Sequence, residues 1–363
     1  MLFENVTQKS GRKTKYAPME LIELGMDQWF KDHAQELCQR EQRIARVTAV
    51  DRGQCMVSNE VGEVPAKATG TFMSSLQSTT DMPCVGDWVC VDYPSSTNAA
   101  SIYSVLPRKS FLRRKSAGKS LKFQMIAANI DVVFIVQSCH FDFNVSRLER
   151  YLLMASEGRV EPMLILTKKD LVSAEVLKQL IEKIRGAGIQ ARILAISNVT
   201  GSGLGLVKEV MRFGKTYCLV GSSGVGKSTL INQLTGHDIV KTGSVSTSGE
   251  GRHTTVRRQL ILLEQGAMLI DTPGMREVGI LAASEGVDDN FNDIQQLSSG
   301  CRFANCGHTN EPGCAVVGAI EDGQLQSEHY QNYVKLKAES ALHEMPYACK
   351  RKKAKKSLLP HQG

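Results

Sequence analysis

The sequence predicts a multi-domain protein with an N-terminal β-barrel of the OB type, a central α/β domain and a mainly helical C-terminal domain. Three observations predict this order. Short alternating segments broken by turn residues come first, longer apolar segments that alternate with amphipathic ones follow, and a cluster of cysteine and histidine comes last. A chain of 363 residues has room for these parts, at roughly 150 residues per domain.

The composition is that of a globular protein, with 42% hydrophobic and 22% charged residues. It excludes collagenous, low-complexity and mostly disordered chains. No apolar run approaches the roughly 18 residues of a membrane helix, and the basic N-terminus lacks the apolar core of a secretory signal. We therefore expect a cytoplasmic protein with no membrane association. The net charge of +7 favours polyanionic partners.

The 10 cysteines do not by themselves predict disulfides. Most are scattered singly, and the last group has the spacing of metal ligands rather than of a disulfide framework. This usage predicts a reducing compartment. Because no coiled-coil repeat is present, a monomer is expected.

The N-terminal part divides into an extension over residues 1–42 and a barrel over residues 43–110. Residues 19–40 are expected to form a helix or to remain part of the extension. Short strands are predicted at residues 43–49, 54–57, 63–66, 86–91 and 101–106. Such a series favours a small closed barrel of the OB type, which binds nucleic acid. An SH3-like barrel that serves only for packing is the alternative, and Trp88 is expected in the barrel core.

Residues 111–283 alternate apolar strands with amphipathic helices, a pattern typical of a parallel sheet with helices on both faces. The predicted strands lie at residues 131–136, 162–166, 191–196, 216–220, 260–263 and 268–270. Residues 284–345 form the third domain, and residues 346–363 form a basic tail.

The strongest motif is GSSGVGKST, which follows an apolar strand and opens a helix, as a phosphate-binding loop requires. Its glycines let backbone N–H groups turn around phosphates at the positive end of the helix. Lys227 is expected to reach the phosphates and Ser228 to bind Mg²⁺. The residues assigned to the loop are Gly221, Ser222, Ser223, Gly224, Val225, Gly226, Lys227, Ser228 and Thr229.

A second motif, TKKD, ends another apolar strand and consists of Thr167, Lys168, Lys169 and Asp170. A carboxylate at this place accepts hydrogen bonds from the ring N–H and the exocyclic amine of guanine, a pair of donors that adenine lacks. Asp170 is therefore predicted to select guanine, with Lys168 lying along the base. Ser197, at the end of the next strand, is predicted to support the base.

A third motif, DTPG, also ends an apolar strand. Asp271 is predicted to hold Mg²⁺ through water and Gly274 to meet the terminal phosphate. The preceding residues 242–252 are rich in Gly and Ser and have the composition of a mobile switch. Thr255, in preference to Thr254, is predicted to complete the Mg²⁺ shell.

The water-activating residue is predicted to be His253, which can hold a water molecule or accept its proton at neutral pH. Ras-like enzymes use a glutamine just after the DxxG motif, but Met275 stands there and cannot orient water. A solvated loop histidine is the alternative reading of His253.

The order of the motifs is unusual, because the guanine-selecting TKKD precedes the phosphate loop instead of following it. A circular permutation would rebuild the same site, since domain termini lie close together at the surface.

The C-terminal cluster has the pattern C-x₄-C-x-H-x₅-C. Four ligands of these types close a tetrahedron, which predicts one structural zinc ion held by Cys301, Cys306, His308 and Cys314. A reduced cluster without metal is the alternative. The following helix is expected to pack through its tyrosines, with His329 or Tyr333 facing RNA as the other possibility.

Two basic stretches, residues 108–122 and 350–356, are either solvated charge or contacts to RNA. An RNA contact would make binding sensitive to salt.

Together these motifs resemble the circularly permuted GTPases. The barrel in front and the sequence CRFANCGHTNEPGC behind resemble the RsgA (YjeQ) family, whose GTP hydrolysis depends on the small ribosomal subunit. The resemblance covers roughly residues 43–338 and also points to His253. It implies hydrolysis of GTP to GDP and phosphate with Mg²⁺, stimulation by the small (30S) subunit, a role in its late maturation and contact with rRNA.

Two positions depart from the family pattern. Thr167 replaces the more usual Asn, which weakens one structural hydrogen bond, and Asn198 stands where Ala is usual, next to Ser197.

Two other functions fit parts of the sequence. One is a non-enzymatic RNA-binding assembly factor with a vestigial nucleotide site, against which the intact Lys227, Ser228, Asp271 and Gly274 argue. The other is a phosphotransferase with a small acceptor substrate, although no separate acceptor lid is visible.

Overall fold

The computed structural model describes residues 20–51, 54–94, 99–115, 123–140, 143–236, 258–271, 291–309 and 311–344. Five N-terminal strands close into a barrel in the order β1-β2-β3-β5-β4, with β4 pairing back onto β1. Alternate apolar side chains of these strands fill its interior. The predicted barrel is confirmed. Its strands are β1 (Arg43–Asp51), β2 (Gln54–Asn59), β3 (Gly62–Ala68), β4 (Trp88–Asp92) and β5 (Ala100–Val105).

Two α-helices and a 3₁₀ turn at Thr79–Asp81 accompany the barrel. Helix α1 (Gln28–Leu37) begins at Asp27, whose carboxylate accepts a hydrogen bond from the Phe30 N–H, and α2 (Gly70–Ser75) follows β3. The Phe30 ring packs 5.8 Å from Trp88. Trp88 is fully buried, but it lies in a cluster with α1 and not in the barrel interior, where the sequence placed it. A disulfide joins Cys38, at the end of α1, to Cys90 on β4, so the cysteines do not all remain free as expected.

The central domain contains a sheet in the order β10-β9-β8-β11-β13-β12, in which only β12 runs antiparallel. Strand β12 also pairs with β1, so the barrel and the α/β domain share one sheet of 11 strands. The strands are β8 (Val132–Ser138), β9 (Glu161–Thr167), β10 (Arg192–Ala195), β11 (Thr216–Val220), β12 (Arg258–Leu262) and β13 (Met268–Asp271).

Helices cover both faces of this sheet, as the alternation predicted. Helices α3 (Val145–Glu157) and α4 (Ala174–Gly186) pack on the face that buries Val133 and Ile135. Helices α5 (Leu204–Val210) and α6 (Lys227–Thr235) pack on the face that buries Phe134 and Val136. Successive residues of a strand point to opposite faces, so a continuous apolar strand such as β8 serves both layers.

The basic stretch after the barrel forms part of a hairpin of β6 (Phe111–Lys115) and β7 (Phe123–Ala128). Three of its charges are used inside the protein. Arg108 forms a two-pronged ion pair with the buried Asp87, Lys109 pairs with Asp27, and Arg113 pairs with Glu157 on α3. Much of this predicted patch therefore fixes the fold, while residues 116–122 lie outside the described part of the chain.

The C-terminal domain contains helices α7 (Asn292–Ser298), α8 (Ala315–Glu321) and α9 (Ser327–Glu344). On α9, Tyr333 and Leu336 are buried, and so is His329. The alternative in which His329 or Tyr333 faces RNA is therefore wrong, because both side chains pack against the α/β domain or its neighbouring helix. None of the helices in the described ranges combines the length and apolarity that crossing a bilayer requires.

Candidate functional site

The motifs that the sequence separates come together at one edge of the sheet. Strands β9, β10, β11 and β13 run parallel, so the segments that follow them all leave at the same edge. These segments are TKKD, the Ser197 loop and the phosphate loop, and Asp271, the first residue of DTPG, ends β13 at the same edge. The carboxyl ends of parallel strands are the usual ligand site of such sheets. The order of the motifs along the chain is thus no obstacle to a common site.

The phosphate loop turns sharply between β11 and α6. At Gly221 a Cβ atom would lie 2.2 Å from the Val136 carbonyl oxygen, and φ is +147°. At Gly226, φ is +96°, a conformation that side chains other than glycine rarely adopt. The Lys227 ammonium donates to the carbonyl oxygens of Gly221 (2.6 Å) and Ser222 (2.5 Å). The loop therefore curls around the side chain that the sequence assigned to phosphate.

The electrostatics of Lys227 fit a site for an anion. Burial lowers the pKa of its ammonium to about 8, and the negative charge of Asp271 opposes this only in part. Asp271 ends β13 and is buried. Burial removes much of the water that would stabilise the charge of the Lys227 ammonium group. A phosphate bound at the helix N-terminus would stabilise the charge strongly, because the anion supplies the interactions that the lost water no longer provides. Ser228, partly exposed on the first turn of α6, offers a hydroxyl beside this lysine.

The TKKD motif begins where β9 ends. Thr167 is fully buried, Lys168 has a left-handed backbone with φ of +57°, and Lys169, Asp170 and Leu171 form a single 3₁₀ turn. The Asp170 carboxylate is exposed at this edge of the sheet. The Lys169 N–H donates to the Ile196 carbonyl oxygen at 3.1 Å. The TKKD turn and the Ser197 loop are therefore bonded to each other.

The Ser197 side chain is fully buried and organises its own loop. Its hydroxyl oxygen accepts hydrogen bonds from the N–H groups of Val199 (3.2 Å) and Thr200 (3.1 Å). Its own N–H donates to the Ser202 carbonyl oxygen at 2.9 Å. The geometry gives Ser197 a role in shaping the loop, so that any support of a base comes from the loop backbone.

The two residues that depart from the family pattern both reach the phosphate loop. The Thr167 hydroxyl donates to the Val225 carbonyl oxygen at 2.5 Å, and the Asn198 amide donates to the Gly226 carbonyl oxygen at 3.0 Å. Asn198 was not predicted as a site residue, since the sequence shows only that it replaces the usual alanine. Among the described residues, its amide oxygen is buried with no hydrogen-bond partner.

Three predicted site residues lie outside the described part of the chain: His253, Thr255 and Gly274. Arg258, the first residue of β12, follows this stretch, and its guanidinium donates to the Met125 carbonyl oxygen at 2.6 Å.

The predicted metal ligands converge in the C-terminal domain. The ligand atoms of Cys301, Cys306, His308 and Cys314 all lie within 4.8 Å of one another. The His308 Nδ1 atom is 3.5 Å from the sulfur atoms of both Cys301 and Cys314, and these sulfurs are 3.9 Å apart. The His308 backbone is left-handed, with φ of +55°. This Cys₃His cluster can hold a metal ion.

Neighbouring groups orient the cluster. The other ring nitrogen of His308 lies 3.3 Å from the Ser298 hydroxyl, and its carbonyl oxygen accepts from the Tyr330 hydroxyl at 2.7 Å. The Cys314 sulfur caps α8 by accepting from the Val317 N–H at 3.4 Å. Groups that hold a ligand's second atom fix its orientation toward a metal. The cluster thereby ties α7, α8 and α9 together.

Sequence comparison places this chain among known proteins. The family described as RsgA GTPase matches residues 105–281. The "Small ribosomal subunit biogenesis GTPase RsgA 2" of Listeria monocytogenes serotype 4b is 40% identical over 333 residues, 90% of each chain. A protein with the same name from Vibrio vulnificus is 36% identical over 343 residues, 94% of each chain.

Structural comparison agrees with the sequence. YjeQ from Thermotoga maritima superposes with a TM-score of 0.61 at 27% identity, covering 83% of this chain and 99% of that one. The circularly permuted GTPase YloQ superposes with a TM-score of 0.56 at 22% identity, covering 85% and 98%, and thus shares the fold. Relatives at 36–40% identity that align over nine-tenths of both chains leave one assignment: this chain belongs to the RsgA family of GTPases.

Proposed function

We propose that this protein hydrolyses GTP to GDP and phosphate, that the small ribosomal subunit stimulates the reaction, and that the reaction serves the subunit's late maturation. The observation that supports it best is the meeting of TKKD, the phosphate loop and Asp271 at one edge of the sheet. The relatives named for small ribosomal subunit biogenesis supply the partner. We further propose that the chain acts as a monomer in the cytoplasm, where ribosomal subunits are assembled.

In this proposal separate groups of residues bind the guanine base and the phosphates of the nucleotide. Asp170 accepts the two guanine donors, Lys168 lies along the base, and Lys169 and Thr167 hold the turn in place. The phosphate loop, Gly221 to Thr229, surrounds the phosphates, with Lys227 supplying the positive charge. Its lowered pKa supports this role, because the ammonium recovers a stabilising partner when an anion binds. Gly274 is assigned to the terminal phosphate.

Hydroxyl and carboxylate oxygens are the donors that Mg²⁺ prefers, so Ser228, Thr255 and Asp271 are assigned to this ion. When bound, the ion neutralises charge that develops on the phosphates. His253 is assigned to orient the attacking water and to accept its proton. A segment that places this histidine only when a partner binds would keep the isolated enzyme slow.

We assign zinc to the Cys₃His cluster. A tetrahedral zinc ion with bonds of about 2.3 Å to sulfur and about 2.0 Å to nitrogen would set sulfur–sulfur distances near 3.8 Å and sulfur–nitrogen distances near 3.5 Å. The observed 3.9 Å and 3.5 Å agree with these values. Four protein ligands leave no open coordination position, so the ion would stabilise the domain and take no part in hydrolysis.

The subunit contact is proposed to involve rRNA, with the barrel as one contact surface. The net charge of +7 supports a polyanionic partner. Arg108, Lys109 and Arg113 are already paired with carboxylates, so other cations would carry this contact. Within this scheme the domain boundaries are 43–110, 111–283 and 284–345.

A nucleotide competition series tests the central assignment. GDP and GTP should displace a fluorescent guanine nucleotide at least a hundredfold better than ADP and ATP. Equal affinity for ATP would overturn the assignment of Asp170. The Asp170→Asn variant should lose guanine selectivity, because an amide cannot accept both guanine donors. Leu171→Ala, at the exposed neighbouring position, serves as the control.

A second test separates the enzyme from an RNA-binding factor with a vestigial nucleotide site. Replacing His253 with alanine should lower kcat by at least about a hundredfold while leaving the GDP dissociation constant nearly unchanged. Hydrolysis that is unchanged in this variant would contradict the role of His253. Nucleotide binding with no hydrolysis by the native protein, alone or with ribosomal subunits, would favour the vestigial site.

A further inference from the structure

Helix α3 touches the phosphate loop directly. The guanidinium of Arg147, in its first turn, donates to the Ser222 hydroxyl oxygen at 2.7 Å. The Arg147 N–H is itself held by the Asn144 side chain, which caps the helix at 2.7 Å. Ser222 lies between Gly221 and Ser223, where its carbonyl oxygen also accepts from Lys227. One arginine outside the nucleotide-binding motifs therefore holds the residue around which the phosphate loop turns.

The same helix carries the main contact with the C-terminal domain. Glu149, two residues further on, is buried and accepts from the His329 ring and, at 2.5 Å, from the Asn332 amide, both on α9. The other His329 nitrogen lies 3.0 Å from the carboxylate of Asp293 on α7, and the ring of Phe291 stacks 4.9 Å from the imidazole. Every polar atom of the Glu149 carboxylate is thus engaged by the C-terminal domain.

Helix geometry makes α3 a rigid connection between these contacts. Residues two apart lie about 200° apart around a helix and about 3 Å apart along its axis. Arg147 and Glu149 therefore face nearly opposite sides: one faces the phosphate loop and the other the C-terminal domain. The helix cannot easily absorb a displacement, because Leu148, Tyr151 and Leu153 are buried in the hydrophobic core that also contains residues of the sheet.

The far end of α3 is fixed as well. The Phe111 N–H donates to the Gly158 carbonyl oxygen at 2.9 Å, and a Cβ at Gly158 would lie 1.7 Å from the Phe111 carbonyl oxygen. Glu157, the last residue of α3, pairs with Arg113 on β6. Because the C-terminal end of α3 is held, a change in the hydrogen bonds of Glu149 would shift the first turn of the helix, where Arg147 lies.

We propose that Arg147 is a positioning residue for the phosphate loop and that the C-terminal domain tunes it through Glu149. This proposal rests on the proposed function and specifies its regulation. A partner that shifts the C-terminal domain changes how firmly Arg147 holds Ser222, and thereby how tightly the phosphate loop binds the nucleotide phosphates. The coupling needs no movement of the switch segments, since both contacts lie on one short helix.

The test is a double-mutant cycle read out as GDP affinity of the full-length, metal-loaded protein. Arg147→Ala and Ser222→Ala should each weaken GDP binding about tenfold, the usual cost of losing a hydrogen bond to a charged group. The double variant should be no weaker than either single one. Asn332→Ala, which removes one donor from Glu149, should weaken GDP binding about threefold in the native background and have no effect in the Arg147→Ala background.

Two further variants separate positioning from general damage. Arg150→Ala removes an arginine on the same helix that has no contact with the phosphate loop among the described residues, and Lys335→Ala removes an exposed charge on α9. Both should leave GDP affinity unchanged. Arg147→Lys keeps the charge but loses the planar donor, and it should restore less than half of the lost binding free energy.

Either of two results overturns the proposal. One is an Asn332→Ala protein with native zinc content and thermal stability that binds GDP with native affinity. The other is an Asn332→Ala effect that persists undiminished in the Arg147→Ala background. Because the readout is GDP binding, absence of GTP hydrolysis or of stimulation by ribosomal subunits would overturn the proposed function and leave this test intact.

Discussion

The side-chain amide of Asn198 donates a hydrogen bond of 3.0 Å to the carbonyl oxygen of Gly226, which joins the loop after β10 to the phosphate loop. Gly226 is the residue before Lys227, and a Cβ there would lie 2.9 Å from the same amide nitrogen and displace the Asn198 side chain. The base side and the phosphate side of the candidate site are therefore held together by a residue outside both motifs.

Asn198→Ala should weaken GDP binding about fivefold, because the Gly226 carbonyl oxygen loses its donor and the loop its connection. The ratio of GDP to ADP affinity should stay constant, since Asp170 still reads the base. Competition against a fluorescent nucleotide analogue measures both the GDP affinity and the ratio of GDP to ADP affinity. Val199→Ala, at a side chain 86% exposed, is the matched control. Native affinity in Asn198→Ala would show that the contact has no part in binding.

The pKa of Lys227 predicts how nucleotide affinity depends on pH. Burial lowers this pKa to about 8 in the free protein, and a bound phosphate should raise it. Binding then takes up a proton above pH 8, so the GDP dissociation constant should be flat from pH 6 to 7 and rise by up to tenfold per pH unit above 8. Calorimetry at pH 8.5 in two buffers of different ionisation enthalpy should detect the uptake. A flat profile to pH 9.5 would contradict this role.

His329 predicts a pH-dependent stability of the C-terminal domain. Burial alone would lower its pKa, but the hydrogen bonds and charges of Asp293 and Glu149 outweigh burial and raise it to about 9. A pKa raised from 6.5 stabilises the fold fully below pH 6.5, and the contribution is lost as pH rises through 9. Its size is on the order of 3 kcal/mol, at about 1.4 kcal/mol per pKa unit.

The measurement is thermal unfolding of the native protein and of His329→Gln at several pH values. The native protein should exceed the variant by several degrees at pH 6.5, and the difference should shrink markedly by pH 9.5. An equal difference at both pH values would mean that the histidine acts by packing alone. The Lys335→Ala variant controls for general effects of substitution on α9.

Metal removal should unfold the C-terminal domain while sparing the barrel. The cluster connects α7, α8 and α9, and structural zinc often supplies folding free energy to such domains. A chelator and the Cys306→Ser change should both release zinc, measured by atomic absorption, and both should lower helicity by circular dichroism. Cys55→Ser, at a free cysteine in the barrel, should change neither. Unchanged helicity after complete zinc loss would contradict the structural role.

Local motifs were predictable from the sequence, because the chemistry and the required backbone lie within a few residues. Gly221 to Thr229 needs only a preceding strand and a following helix, and the four C-terminal ligands need only their spacing. The joining of distant motifs was also predictable, since parallel strands place their carboxyl ends at one edge. This is why a permuted order of motifs still indicated one site.

Contacts between side chains that are far apart in the chain could not be predicted from the sequence. Glu149 and His329 are 180 residues apart, and nothing in either local pattern shows that they meet. The same holds for the disulfide between Cys38 and Cys90, at a separation of 52 residues. The basic stretch after the barrel suggested an RNA contact because its carboxylate partners Asp87 and Glu157 come from elsewhere in the chain. The sequence shows that the stretch is basic, whereas the carboxylates that pair with it are brought close only by the fold.

The most direct measurement is the rate of GTP hydrolysis by the purified protein alone, with small ribosomal subunits and with large subunits. We expect slow hydrolysis by the protein alone, strong stimulation by small subunits only, and loss of that stimulation at raised salt, because contact with rRNA releases counterions. No stimulation by small subunits, or equal stimulation by large ones, would contradict the proposed partner. The nucleotide site would then serve a different partner.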